Sequence, residues 1–367
     1  MSEGRGTSAS PVRRPHRWRV APAAAAVAVL AVAGGGCSGN SAPHSGGTSA
    51  SPSAGDVGRQ RSGAMSAMAG VSRGVMFGGD VPLAMAQAKL GRKLAIVRVY
   101  DHLGQPFSNP KIDRIMAGGT TVAVSLDLFP GRDTYSAIAA GREDAAIKSW
   151  LTQVERSAVR YHLAAIYMTF EHEADLLAHH RALGTPAQFV QAWDHIHQLA
   201  ATAHLNWTDG GRLHWVLILT HFAYIDGRVS RFWPGTHEVD IVGADGYNTG
   251  GCRVARAHHT HFTTGKTPPE TPASLFGKLV RFAASHGSLP VFIAEWGSVA
   301  YPDANVRVNW IHQMQAFVQA NPEITAALYW DSQVPPCNYI INDSPTSLSA
   351  LTSMAHAPDM QGRPTGS

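Results

Sequence analysis

From Val71 onward, short β-rich apolar runs alternate with helical stretches, and this alternation constrains the fold more than any other feature of the sequence. A strand followed by a helix, repeated, builds a parallel sheet, because a crossover to a parallel neighbour needs a dozen or more residues. Strand candidates fall at 74–77, 94–100, 121–128, 164–170, 213–220, 239–247, 291–295 and 325–330. Helical stretches lie between them, for example at 144–160, 186–205 and 273–286, and Thr271 before Pro272 gives the last one a capped start. The strand runs are nearly continuous in apolar residues, as burial on both faces requires. Eight such repeats over about 290 residues predict a single (β/α)8 TIM barrel at 71–360. A doubly wound open sheet is the competing arrangement, weakened because no phosphate-binding glycine turn follows the first strand.

The N-terminus is organised differently. Arg13, Arg14, Arg17 and Arg19 precede an Ala/Val/Leu run at 20–33 that is too short for a permanent membrane span, so residues 1–37 read as an export signal. Gly34, Gly35 and Gly36 lead into Cys37, a pattern that resembles the lipid-attachment site of bacterial lipoproteins, although Gly34 stands where that pattern prefers Leu. The resemblance implies an exported protein held through lipidated Cys37 on the outer face of the cell membrane; ordinary secretion is the alternative. Residues 38–70, dominated by Ser, Gly, Ala and Pro, read as a disordered tether, and 361–367 as a flexible tail. The Gly34-x-Gly36-x-x-Gly39 spacing lacks the strand and helix that a dinucleotide fingerprint needs.

Charge and cysteine count narrow the function classes. The formal charge of +4 resides in the signal segment, beyond which 25 basic residues face 25 acidic ones. Such a neutral domain lacks the basic field that phosphate backbones require, so nucleic acid is not an expected partner. Apart from Cys37, only Cys252 and Cys337 remain, and an oxidising compartment predicts that they pair.

In barrels of this kind, functional groups sit at the C-terminal ends of the strands. The fourth strand runs into Glu171-His172-Glu173 and the seventh into Glu295-Trp296-Gly297. Two carboxyls at two mouths suit glycosidic cleavage, in which one protonates the leaving oxygen and the other attacks or activates water at the anomeric carbon. Either Glu alone could equally cap a helix or pair with a surface Arg; the coincidence of both on strands four and seven is what favours chemistry. Glu171 shares the strand parity of Glu173 and is expected to face inward as a buried partner of an Arg or His.

These segments resemble the clan of retaining glycoside hydrolases with acid/base on strand four and nucleophile on strand seven, and within it glycoside hydrolase family 26, the β-mannanase family. The likeness rests on His172-Glu173, on Glu295-Trp296-Gly297, on Trp233-Pro234-Gly235 with the strand at 239–248 that carries Asp245 and Tyr247, and on Trp330 after the eighth strand. It implies Glu173 as general acid/base and Glu295 as nucleophile. It also implies sugar contacts at His172, Tyr247, Trp330, Trp296 and Asp245, with Tyr247 bonded to the nucleophile and Trp330 forming the floor of the sugar site. The expected partner is a β-linked polysaccharide or oligosaccharide, cleaved by a monomer that uses neither metal nor cofactor. This chain departs from the family after His172-Glu173, where Ala174-Asp175-Leu176-Leu177 replaces an Asn-Gly step and a Trp-rich run, and at Thr169, where the family carries Arg.

Other chemistries have less support. A zincin helix needs His at the position of Leu176, and His258, His259 and His261 lie in a Gly/Thr/Pro loop without an acidic companion. No Gly-x-Ser-x-Gly elbow or Walker loop is present. The rival from another class is a barrel that binds polysaccharide of the cell envelope without cutting it, which loss of the Trp-rich run would suit.

Overall fold

The computed structural model describes residues 67–107, 109–252 and 262–365. The signal segment, Cys37, nearly all of the expected tether and the histidines at 258, 259 and 261 lie outside the described residues.

Eight parallel strands close into a barrel in chain order: β1 Met76–Asp80, β2 Ile96–His102, β3 Thr121–Asp127, β4 Ile166–Phe170, β5 Leu213–Thr220, β6 Ile241–Asn248, β7 Val291–Ser298 and β8 Ile324–Tyr329. The eighth pairs with the first, Met76 facing Ala326, so no edge is left open. The crossover helices are α1 Val81–Met85, α2 Pro110–Ala117, α3 Asp144–Arg160, α4 Pro186–Thr202, α5 His221–Ile225, α6 Pro272–Ser285, α7 Ala304–Ala320 and α8 Pro345–His356. The arrangement is the (β/α)8 barrel that the alternation predicts.

Local chemistry explains the helix starts. Thr185 accepts from the Gln188 amide at 3.3 Å while the Gln188 side chain accepts from the Thr185 amide at 2.9 Å, a reciprocal cap that satisfies two N–H groups before α4. Phe189, Ala192, Trp193, Ile196 and Ala200 then recur at helical spacing and are all buried against the barrel. Thr271 caps α6 with its hydroxyl, accepting from the Ser274 amide at 3.1 Å with Pro272 at the first turn.

Two separate apolar clusters record which way each strand residue points. Met76, Ile96, Ala123, Tyr167, Val216, Ile218, Ile241, Phe292, Ala294, Ala326 and Leu328 pack together without any residue of the crossover helices, and so fill the barrel interior. Phe77, Val97, Val124, Met168, Leu217, Val242 and Ile293 belong to the larger cluster shared with the helices. Toward the mouth this alternation breaks in β7. There Ala244 faces Ile293 but Asp245 faces Glu295, so Ala294 is one residue too many for its partner strand. A bulge of this kind re-aims the residues beyond it. Counting by twos from Phe292 would turn Glu295 toward the helices; the extra residue turns it inward and sends Trp296 out.

The pole opposite the mouth is closed by residues 69–75 and 361–365. Tyr167 Oη donates to Ala69 O at 2.9 Å, Ser72 N donates to Arg363 O at 2.7 Å, and Gly362 N donates to Val75 O at 3.0 Å. The expected domain limits at 71 and 360 therefore change. Ala69 is fully buried, and residues 361–365 pair with the N-terminal segment instead of forming the start of a free tail.

Candidate active site

Glu295 stands in the C-terminal half of β7 with 5 % of its surface exposed. The hydroxyls of Tyr100 and Tyr247 each donate to one of its carboxyl oxygens, and the Arg98 Nε lies 3.7 Å from Oε1. Burial and the neighbouring carboxylate push both phenols well above their ordinary range, so they stay protonated as donors. Arg98 is 1 % exposed, and its guanidinium also lies over the Tyr100 ring at 4.9 Å. Two donors and a guanidinium are the surroundings that a negative carboxylate oxygen calls for.

Glu173 meets different surroundings. It is 4 % exposed, no hydrogen-bond donor among the described residues reaches its carboxyl, and burial, reinforced by the charges of Glu295 and Asp175, pushes it up to about 8 against the opposing field of His172. Its backbone, like that of Glu171, is left-handed, with φ of 52° and 51°. Left-handed geometry in a residue with a side chain costs about 1 kcal/mol or more and persists only where the surroundings impose it.

His172 links the two. Its Nδ1 lies 3.1 Å from Ser125 Oγ and 3.2 Å from Asp127 Oδ1, both from the inward face of β3, and its ring tilts against Tyr100 with centroids 5.0 Å apart. Burial alone would lower this imidazole, but the charge and hydrogen bond of Asp127 outweigh it and raise His172 to about 9. Asp127 moves the opposite way, burial tending to raise it and His172 holding it below the ordinary carboxylate range. The pair is thus ionised at neutral pH, and Nε2 of the cationic ring has no hydrogen-bond partner among the described residues.

Asp245 sits level with Glu295 in the strand register and is 1 % exposed; neither carboxyl oxygen has a hydrogen-bond partner among the described residues. Burial, then the charges of Glu295 and Glu173, drives it well above the carboxylate range, so it is held as a neutral acid. Trp330, half-buried, packs edge-on against Tyr247 at 5.5 Å and Tyr339 at 5.6 Å. The Cys252–Cys337 disulfide joins the loop after β6 to the hairpin after β8, in one apolar cluster with Tyr247 and Tyr339.

The fold therefore brings Glu173, Glu295, His172, Tyr247, Asp245 and Trp330 to one end of the barrel. Trp296 is a correction. It has no exposed surface and packs against Trp310 and Tyr329 in the helix layer, because the β7 bulge turns it outward, so it cannot touch a sugar. Glu171 also departs from its expected inward direction. Its left-handed backbone swings the carboxyl to the mouth of β3, where Leu128 N donates to it and His179 Nδ1 lies 3.6 Å away. Burial pushes Glu171 up to about 8 and His179 down to about 4, which makes this a contact between neutral groups and not an ion pair.

Sequence reasoning missed Arg98, Tyr100, Ser125 and Asp127. The signal was there: Arg98 and Tyr100 are two apart in a run that is otherwise apolar over 94–100, Ser125 and Asp127 are likewise two apart, and residues at that spacing share a face.

No protein-family model matches the chain, and no curated protein matches it in sequence. Solved structures do match in fold. The catalytic domain of a GH26 endo-β-1,4-mannanase from Bacillus sp. JAMB-750 superposes with a TM-score of 0.55 at 11% identity, over 83% of this chain and 89% of that one. A GH26 β-mannanase from Bacteroides ovatus gives 0.55 at 12%, over 82% and 94%. An endo-β-1,4-mannanase double mutant from Cellulomonas fimi gives 0.54 at 14%, over 82% and 75%. At these identities the likeness is one of architecture.

Proposed function

We propose that the chain is a retaining glycoside hydrolase that cleaves a β-linked polysaccharide or oligosaccharide by double displacement, in the manner of the endo-β-mannanases. The observation that carries this reading is the contrast between two carboxyls at one mouth. One is surrounded by low polarity and negative neighbours that keep its proton near neutral pH; the other is met by two hydroxyls and a guanidinium. Environments that differ in this way assign acid and nucleophile. In the first step a Glu295 oxygen bonds to the anomeric carbon as the glycosidic bond breaks, and the Glu173 proton passes to the departing oxygen. In the second step the Glu173 carboxylate takes a proton from water, whose oxygen displaces Glu295 from the same carbon. His172, fixed by Asp127, presents its second ring nitrogen to a sugar hydroxyl, and Trp330 offers its face to the apolar side of a pyranose.

The test is a screen of the purified domain against β-mannans, mixed-linkage β-glucans, xylans and envelope glycans, followed by mass spectrometry after incubation with an activated 2-deoxy-2-fluoro glycoside. A covalent adduct on Glu295 is expected. Glu295→Ala separates this reading from a barrel that only binds polysaccharide: a hydrolase loses turnover and keeps affinity for the oligosaccharide, whereas a binder shows no turnover in either form. The same reading includes export and a lipid on Cys37, for which incorporation of labelled palmitate into the wild type and not into Cys37→Ser is the check.

A further inference from the structure

Glu173 stands in a segment, 171–175, that no regular element supports; it follows β4 and precedes the short helix Leu177–Leu183. The residues two before and two after it are both carboxylic acids, both buried, and each is spent on a neighbouring strand. Glu171 reaches β3: its backbone N donates to Leu126 O at 3.0 Å, and its side chain accepts from Leu128 N. Asp175 reaches β5: Thr220 N donates to Oδ1 at 2.8 Å and the Thr220 hydroxyl donates to Oδ2 at 2.5 Å. Arg228 closes Asp175 from outside, Nη1 donating to its carbonyl at 2.9 Å and Nη2 lying 3.5 Å from Oδ2. Between them Glu173 N donates to Ile218 O at 3.0 Å.

We propose that Glu171 and Asp175 are positioning residues, a pair of side-chain clamps that stretch the left-handed segment between the mouths of β3 and β5 and so aim Glu173 at the glycosidic oxygen. The proposal rests on the reading of Glu173 as the acid/base. A general acid must come within hydrogen-bond reach of the oxygen it protonates, and a misplacement of about 1 Å costs on the order of a hundredfold in rate. A backbone conformation that disfavours side chains relaxes once its anchors are removed. Both carboxyls are buried and engaged by groups of the protein, so each acts through the acid that stands between them.

The experiment uses the whole domain with Glu171→Ala, Glu171→Gln, Asp175→Ala, Asp175→Asn and Thr220→Val. Aryl β-glycosides of the sugar that the wild type cleaves serve as probes, from phenyl, which needs a proton to leave, to 2,4-dinitrophenyl, which does not. The Ala variants are expected to lose about thirtyfold or more in kcat/KM on the phenyl glycoside and under about threefold on the dinitrophenyl one. The Gln and Asn variants keep an oxygen for the Leu128 and Thr220 amides and stay close to wild type. Asn and Ala remove the same charge at 175, so the difference between them reports position. Equal losses on both substrates, with Glu173→Ala showing the split, would overturn the clamp and leave the hydrolase reading standing. Thr220→Val removes only the hydroxyl; it decides the matter should an Ala variant fail to fold, and shows the same split in weaker form. Carbon-13 carboxyl titration of Glu173 gives an answer that needs no turnover. The midpoint of about 8 should fall by about one unit or more in Glu171→Ala relative to Glu171→Gln, and in Asp175→Ala relative to Asp175→Asn, as the segment swings toward water. An unchanged midpoint sinks the clamp, whereas an inert wild type with a shifted midpoint sinks only the hydrolase.

Discussion

Replacing Glu173 by Gln should make the protein more resistant to unfolding at pH 8 than at pH 6.5, relative to wild type. The folded protein holds the Glu173 proton up to about 8, whereas an ordinary Glu releases it near 4.5. Between those values the native state binds more protons than the unfolded one, so stability is fully present below 4.5 and is lost as pH rises toward 8. The slope is about 1.4 kcal/mol per pH unit for one group, which gives about 2 kcal/mol between pH 6.5 and 8.0. A glutamine side chain does not titrate, so the variant lacks that decline. Groups common to both proteins, such as Glu171 with its own proton held to about 8, cancel in the comparison. Urea unfolding at 0.5-unit pH steps measures the difference, and thermal scans should show it as a relative shift of roughly 4 °C. Parallel profiles for wild type and variant across this window would refute the reasoning, since they would mean that Glu173 is already ionised in the folded protein.

Three further outcomes follow from the same geometry. Tyr247→Phe removes one of the two hydroxyls on Glu295 and should lower kcat on an aryl glycoside by about 10- to 100-fold with KM changed far less, as steady-state kinetics would show. Asp127→Asn leaves His172 buried without its counter-charge, so its NMR titration midpoint should drop from about 9 to below the ordinary 6.5. Cys252→Ser with Cys337→Ser opens a link between residues 85 positions apart and should cost about 4 kcal/mol in urea unfolding.

The barrel is legible in the sequence because its strands are buried on both faces and therefore read as short apolar runs, told from buried helix by their length and by the longer helical stretches between them. The first strand reads early, at 74–77 instead of Met76–Asp80, because Gly78 and Gly79 carry no side chain to extend the run. Gly78 is needed there: a Cβ would lie 2.4 Å from Ile96 O and 3.1 Å from Leu328 in the barrel interior. Positions around the site follow from parity wherever the backbone is regular, which holds for Asp245 and Tyr247 on β6. Parity fails at Glu171, where a positive φ breaks the alternation, and at Trp296, beyond the bulge. The free tail expected at 361–367 fails for a different reason. Most of its contacts with 70–75 are backbone bonds, which leave no trace in side-chain type, and Gln361, whose Nε2 donates to Ala355 O and Ala357 O, is a residue type equally at home in a free tail.

The added residue in β7 works as a phase shifter. Were the same strand drawn out in an even pleat, the acid at 295 would point into the aromatic sheath beside Trp310 and Tyr329, away from the hydroxyls of Tyr100 and Tyr247. The indole at 296 would then be driven into the throat between β6 and β8. One set of side chains is thus compatible with an open mouth or a plugged one, and a single surplus alanine selects between them.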